Sequence, residues 1–161
     1  MSARYNADEV FEMAEQIERN GAKFYRRAAE MVSAEGSQDM LLELAAMEDD
    51  HEKTFAAMRR DLSEAERKPM VFDPDDELAL YLHAIADRRV FDLKVDPSQQ
   101  LTGQEPLDRI LHIAIGLEKD SIVFYLGMRE LVPERLGAAR LYGIIREEYG
   151  HLVTLSAKRP R

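Results

Sequence analysis

Apolar residues recur at alternating steps of three and four positions along four long segments of the chain. This spacing places the apolar side chains on one face of a helix, so it predicts four amphipathic α-helices. The first segment opens with Asn6 and Glu9 at the spacing of a capping box, and the third accepts Pro106 in its first turn. The pattern therefore predicts an all-α protein. The predicted helices cover residues 6–32, 37–62, 104–131 and 133–157.

The connection between the second and third helices, residues 63–103, is longer than a turn in a compact domain needs. Its apolar residues indicate a shorter helix from about Asp75 to about Val90, followed by a loop. A helix of about 25 residues is about 37 Å long, and this connection can carry the chain from one end of a bundle to the other. We therefore expect an up-down four-helix bundle with parallel second and third helices and an extra helix in the long crossover.

The two helix pairs repeat each other at a constant offset of 100 positions. One glutamate and one tyrosine of the first helix, and a Glu-x-x-His motif of the second, return in the second half of the chain. The matched residues are Glu18 and Glu118, Tyr25 and Tyr125, Glu48 and Glu148, and His51 and His151. This self-similarity predicts that the helix pairs are related by a pseudo-two-fold axis.

The repeated glutamates and histidines interrupt apolar stripes, which predicts that they point into the core of the bundle. Unpaired buried charges cost several kcal/mol each, so a positive species must balance the four carboxylates. Two divalent ions would do so, and a mixed carboxylate and imidazole set suits iron or manganese better than calcium, magnesium or copper. The predicted ligands are Glu18, Glu48, His51, Glu118, Glu148 and His151.

Composition narrows the possibilities further. A chain of 161 residues, 45% of them hydrophobic, can form one domain, with helix pairs at 6–62 and 104–158 around the crossover at 63–103. The net charge of −9 disfavours nucleic acid and anionic membranes as partners. The absence of cysteine excludes thiolate metal sites and thiol nucleophiles. No apolar stretch is long enough for a signal peptide or a membrane span, so we expect a soluble, cytoplasmic protein.

Other polar residues leave alternatives open. Tyr25 and Tyr125 each lie two turns after a predicted ligand, and either hydrogen-bond a ligand carboxylate or simply pack in the core. Glu15 and Glu147 could act as further ligands or acceptors, with Glu15 favoured of the two, although we expect both on solvated faces. The remaining histidines, His83 and His112, lack the motif and are expected on a helix face or in the core.

With these motifs, the chain resembles the rubrerythrin branch of the ferritin-like superfamily across all four helices. The resemblance is to its non-haem diiron domain, and it implies a carboxylate-bridged pair of iron ions, with manganese or zinc as possible substitutes and no haem. It further implies an oxidoreductase that reduces hydrogen peroxide or oxygen with electrons from two Fe(II) ions, in a role associated with oxidative stress. Small residues at Gly21 and Ser121 would leave room for the oxidant.

The chain also departs from that family. Without cysteine it lacks the rubredoxin module, so electrons must come from a donor protein in trans or from Fe(II) itself. Ser121 stands where rubrerythrins carry an extra glutamate, and the six-ligand set equally resembles the ferroxidase centre of bacterioferritin. Asp49, however, stands where that family has its haem-ligating methionine, and the chain ends at Arg161 without the fifth helix of storage ferritins. We therefore expect a small oligomer, by default a homodimer.

Four functions remain open from the sequence. The first is the diiron oxidoreductase, and the second is a ferroxidase or iron-binding protein for iron storage or detoxification. The third is a diiron oxygenase that acts on an organic substrate through a pocket leading to the metals. The fourth is a metal-stabilised interaction module that consumes no oxidant.

Overall fold

The computed structural model describes residues 6–68, 96–129, 132, 134–136 and 138–159. Within these residues the protein consists of four long α-helices and two short 3-10 helices, and no β-strand occurs among them. The prediction of four amphipathic helices is confirmed, with bounds shifted by a few residues. The α-helices are α1 (Ala7–Met31), α2 (Glu35–Arg60), α3 (Leu107–Met128) and α4 (Ala138–Lys158), and the 3-10 helices are Pro97–Gln100 and Glu134–Leu136.

Local contacts fix where α1 and α3 begin. The capping box predicted for α1 is present, since the Asn6 side chain accepts from the Glu9 amide and the Glu9 carboxylate accepts from the Asn6 amide, both at 2.9 Å. Pro106 precedes α3 as its N-cap, whereas the sequence predicts it inside the first turn of a helix that begins at residue 104. Its carbonyl accepts from the Arg109 and Ile110 amides. Because the N–H of a residue at the start of a helix has no partner within the helix, the missing proline N–H costs no helical hydrogen bond.

Two apolar clusters show how the helices run. Each cluster takes residues from all four helices, but from opposite ends of each helix. The first contains Phe11, Phe55, Met128 and Leu141. The second contains Ala28, Leu41, Leu111 and Leu155. It follows that α1 and α4 run one way and α2 and α3 the other, so the predicted parallel arrangement of α2 and α3 is present.

The helices associate in two pairs, with α1 against α2 and α3 against α4. The 3-10 helix Pro97–Gln100 packs on α1, and Leu101 beside it is buried in the second apolar cluster. The extra helix predicted at 75–90, together with His83, lies outside the described residues. None of the described helices combines the length and apolar character needed to cross a membrane.

Candidate metal centre

The structure brings all six predicted ligand side chains together in the middle of the bundle, between the two apolar clusters. Each of them is at most 3% exposed. Their candidate ligand atoms form two groups of four, and within each group all four atoms lie within 4.8 Å of one another. The first group is Glu18, Glu48, His51 and Glu148, and the second is Glu48, Glu118, Glu148 and His151.

Glu48 and Glu148 belong to both groups because each directs one carboxylate oxygen towards His51 and the other towards His151. Glu148 Oε1 lies 3.1 Å from His51 Nδ1, and its Oε2 lies 2.9 Å from His151 Nδ1. Glu48 Oε2 lies 3.6 Å from His51 Nδ1, and its Oε1 lies 3.3 Å from His151 Nδ1. The two Glu-x-x-His glutamates therefore lie between the groups, whereas Glu18 and Glu118 each belong to one group.

The two tyrosines hydrogen-bond the outer glutamates across the bundle. The Tyr25 hydroxyl donates to Glu118 Oε1, and the Tyr125 hydroxyl donates to Glu18 Oε1. Both tyrosines are buried, and burial, reinforced by the neighbouring carboxylates, raises the pKa of both phenols well above its usual value. The hydroxyls therefore keep their protons and act as donors. The hydroxyls of Tyr25 and Tyr125 thus contact candidate ligands, while their rings pack in the apolar clusters.

The preference for Glu15 over Glu147 as a further acidic contact is wrong. Glu15 pairs with the guanidinium groups of Arg19 and Arg59, each at 3.5 Å. Glu147 instead places Oε2 2.7 Å from His51 Nε2, although its side chain remains 55% exposed. Glu147 lies off the apolar stripe of α4, so helical periodicity carries no signal for this contact.

The small residues predicted to leave room for an oxidant have other contacts. A Cβ atom on Gly21 would lie 3.4 Å from Cγ and Cδ of Glu48, so Glu48 already packs against this glycine. Ser121 is 8% exposed, and its hydroxyl donates to the Leu117 carbonyl at 3.1 Å within α3. The absence of a side chain at Gly21 therefore leaves room for Glu48, which belongs to both groups.

Burial and crowding perturb the titration of two glutamates and both histidines of the cluster. Burial, with the Glu48 charge nearby, raises the pKa of Glu18 well above its usual value, and burial raises that of Glu118 to about 8. Burial alone would lower the pKa of both imidazoles, but the surrounding carboxylates outweigh it, raising that of His51 strongly and that of His151 to about 12. Without other cations, these two glutamates and two histidines therefore hold protons within the cluster.

A search of solved structures finds the same architecture in a Thermotoga maritima crystal structure named as a ferritin-like diiron-carboxylate protein. The TM-score is 0.74 with 23% sequence identity, over 98% of this chain and 96% of that one. The fold of this chain is ferritin-like. At this identity the match shows the fold alone. No protein-family model and no curated protein matches the chain.

The centre of this ferritin-like bundle fits a metal pair on its own chemistry. Among the described residues, five buried side-chain atoms lack a hydrogen-bond partner, and all five belong to the cluster. They are His51 Nδ1, His151 Nδ1, His151 Nε2 and both carboxylate oxygens of Glu148. An unpaired buried polar atom costs about 1–3 kcal/mol. Coordination would satisfy the two Nδ1 atoms and the Glu148 oxygens together, and mixed nitrogen and oxygen donors suit divalent transition metals.

Proposed function

We propose that this protein is a diiron-carboxylate oxidoreductase that reduces hydrogen peroxide or oxygen with electrons from two Fe(II) ions. The observation that carries the proposal is the pair of four-residue groups that share Glu48 and Glu148. Two ions held side by side need carboxylates with one oxygen for each ion, and among the described glutamates only these two face both histidines. The ferritin-like fold supports the same assignment.

The six side chains divide naturally between two ions. Glu18 and His51 would hold one ion, Glu118 and His151 would hold the other, and Glu48 and Glu148 would bridge them. Four carboxylates balance the charge of two divalent ions, so the filled site would be neutral.

When bound, the Fe(II) pair would supply two electrons, which with two protons convert one hydrogen peroxide to two waters. The chain contributes position and environment. Tyr25 and Tyr125 hold the outer glutamates by hydrogen bonds from opposite helices. The two apolar clusters close the site above and below, which keeps bulk water away from the reacting atoms.

A ferroxidase is the second candidate function, and one contact favours it. Ser121 stands at the position of the extra rubrerythrin glutamate, and its hydroxyl is bonded to the backbone of its own helix. The cluster thus offers six side chains and no further carboxylate from this turn of α3, as in a ferroxidase centre. Fe(II) would then be the substrate, oxidised and passed on or stored.

The partners proposed with this function follow from the sequence. A chain without cysteine carries no thiolate-bound electron relay, so a peroxidase would need a donor protein in trans. The homodimer, the cytoplasmic location and the rubrerythrin-like role in oxidative stress stay predictions.

Stopped-flow absorbance separates the two functions. Protein loaded anaerobically with two Fe(II) per chain is mixed with hydrogen peroxide or with oxygen. The Glu48→Ala/Glu148→Ala double variant tests dependence on the site, and Glu43→Ala, an exposed position on α2, is the matched control. A peroxidase is oxidised much faster by peroxide and turns over again after re-reduction. Equal rates with oxygen, and retention of further iron, would instead identify a ferroxidase. Oxidation unaffected by the double variant would contradict both.

A further inference from the structure

The two halves of the cluster differ in what contacts the Nε2 atom of their histidine. His51 Nε2 contacts the Glu147 carboxylate at 2.7 Å, from α2 across to α4. The repeat matches Glu147 with Met47, so a thioether side chain replaces the carboxylate in the other half. Correspondingly, His151 Nε2 is buried and has no hydrogen-bond partner among the residues that the structure describes. The near-symmetry of the candidate ligands therefore does not extend to the groups that support them.

This difference fixes the tautomer of only one histidine. A carboxylate only accepts hydrogen bonds, so the His51 Nε2 atom that faces Glu147 carries the proton. In the neutral ring, Nδ1 then presents its lone pair to the centre, where it lies 3.1 Å from Glu148 Oε1. His151 Nδ1 has the same placement, 2.9 Å from Glu148 Oε2, but within the described part of the chain no acceptor holds a proton on its Nε2.

A carboxylate that accepts a hydrogen bond from a metal-binding imidazole also makes that imidazole a stronger ligand for the metal. Removing such a partner typically lowers metal affinity about 10- to 100-fold. The Glu147 side chain is 55% exposed, so solvent screens its direct attraction for a cation. Its effect therefore acts mainly through the hydrogen bond, by orienting the ring and fixing its tautomer.

We propose that Glu147 is a positioning residue that makes the two metal positions unequal. The position formed by Glu18 and His51 binds a divalent ion more tightly than the position formed by Glu118 and His151. The inference rests on the proposed dimetal site. It implies that a chain holding one ion carries it on the His51 side, and that the ion on the His151 side is the one that exchanges.

The test is a calorimetric titration of metal-free protein with Co(II), followed in parallel by visible absorbance. Wild type should bind two ions in two steps whose affinities differ about 10- to 100-fold. Glu147→Met should weaken the tight step by about that factor and bring the two steps together. Met47→Glu supplies the missing acceptor and should strengthen the weak step.

A conservative variant separates the hydrogen bond from the charge. The amide oxygen of Glu147→Gln can still accept from His51 Nε2, so this variant should keep two unequal steps. Because position 147 is exposed, none of its variants should unfold the protein, which the circular dichroism spectrum checks. His51→Ala should abolish the tight step, and His151→Ala should abolish the weak one.

The outcomes distinguish this inference from the function on which it rests. Binding of fewer than two Co(II) ions per wild-type chain would refute the dimetal site, and with it the proposed function. Two ions bound with equal affinity would overturn the role of Glu147 alone. The same holds if Glu147→Met leaves both steps unchanged or weakens them equally.

Discussion

Glu118→Gln tests whether the central carboxylates destabilise the metal-free protein. Glu118 is 3% exposed, and burial raises its pKa from the ordinary 4.5 to about 8, with His151 opposing the rise. A carboxyl group with a raised pKa binds its proton more tightly in the folded state than in the unfolded state. Its stabilising contribution is complete below pH 4.5 and is lost as the pH rises towards 8.

The size of this loss follows from the shift, because one pKa unit corresponds to about 1.4 kcal/mol. At pH 7 the folded protein must keep Glu118 protonated, which costs about 3 kcal/mol relative to an unfolded chain with an ionised glutamate. Glutamine has a similar shape, can accept from Tyr25, and has no proton to lose. The metal-free variant should therefore be more stable than wild type by about 3 kcal/mol at pH 7, which raises Tm by about 6–12 °C.

Thermal unfolding followed by circular dichroism, in chelator at pH 4.5 and pH 7, measures this difference. Glu43→Gln makes the same substitution at an exposed position on α2 and should change Tm little at either pH. With two divalent ions present the order should reverse, because the variant has lost a ligand oxygen. If Glu118→Gln is no more stable than wild type at pH 7, or if its gain is equally large at pH 4.5, Glu118 does not destabilise the metal-free protein in this way.

Three further predictions follow from the same contacts. Tyr25→Phe and Tyr125→Phe each remove a hydrogen bond to a buried carboxylate, so each should lower the free energy of unfolding of the metal-loaded protein by about 1.5–3 kcal/mol in urea titrations. No change would contradict a holding role for the phenols. Gly21→Ala meets Glu48 at ordinary contact distance and should stabilise α1 by up to about 1 kcal/mol, whereas Gly21→Leu should displace Glu48 and weaken metal binding in calorimetry. Metal affinity should rise with pH between 6 and 8, because the raised pKa values of Glu118 and His151 keep protons in the cluster that metal must displace. Calorimetry at pH 7 in buffers of different ionisation enthalpy should detect protons released on metal binding. If no protons are released, the cluster does not hold the protons that this pH dependence requires.

The helices and the six clustered side chains could be predicted because both depend on spacing along the chain. A glutamate inside an apolar stripe points into a bundle whatever the partner helix is. The 100-residue offset then identifies the matching positions in the second half, such as Glu118 for Glu18. The confirmed placement of Glu48, His51, Glu148 and His151 in one cluster follows from these two patterns.

The cross-bundle contacts could not be predicted, because periodicity does not fix how the helix pairs face each other. Tyr25 reaches Glu118 on α3 rather than a carboxylate of its own helix. Glu147 reaches His51 from the edge of α4, while Glu15 turns to Arg59. The shared position of Glu48 and Glu148 likewise depends on the relative rotation of α2 and α4. Each of these contacts requires the assembled bundle.

The most direct test of the central claim is the number of Fe(II) ions bound per chain, measured by anaerobic equilibrium dialysis and metal analysis. We predict two ions for wild type and for the exposed control Glu43→Ala. Both ions should be lost in Glu48→Ala/Glu148→Ala, because these two residues belong to both groups. A single ion in wild type, or two ions retained in the double variant, would contradict the claim that this buried cluster is a dimetal centre.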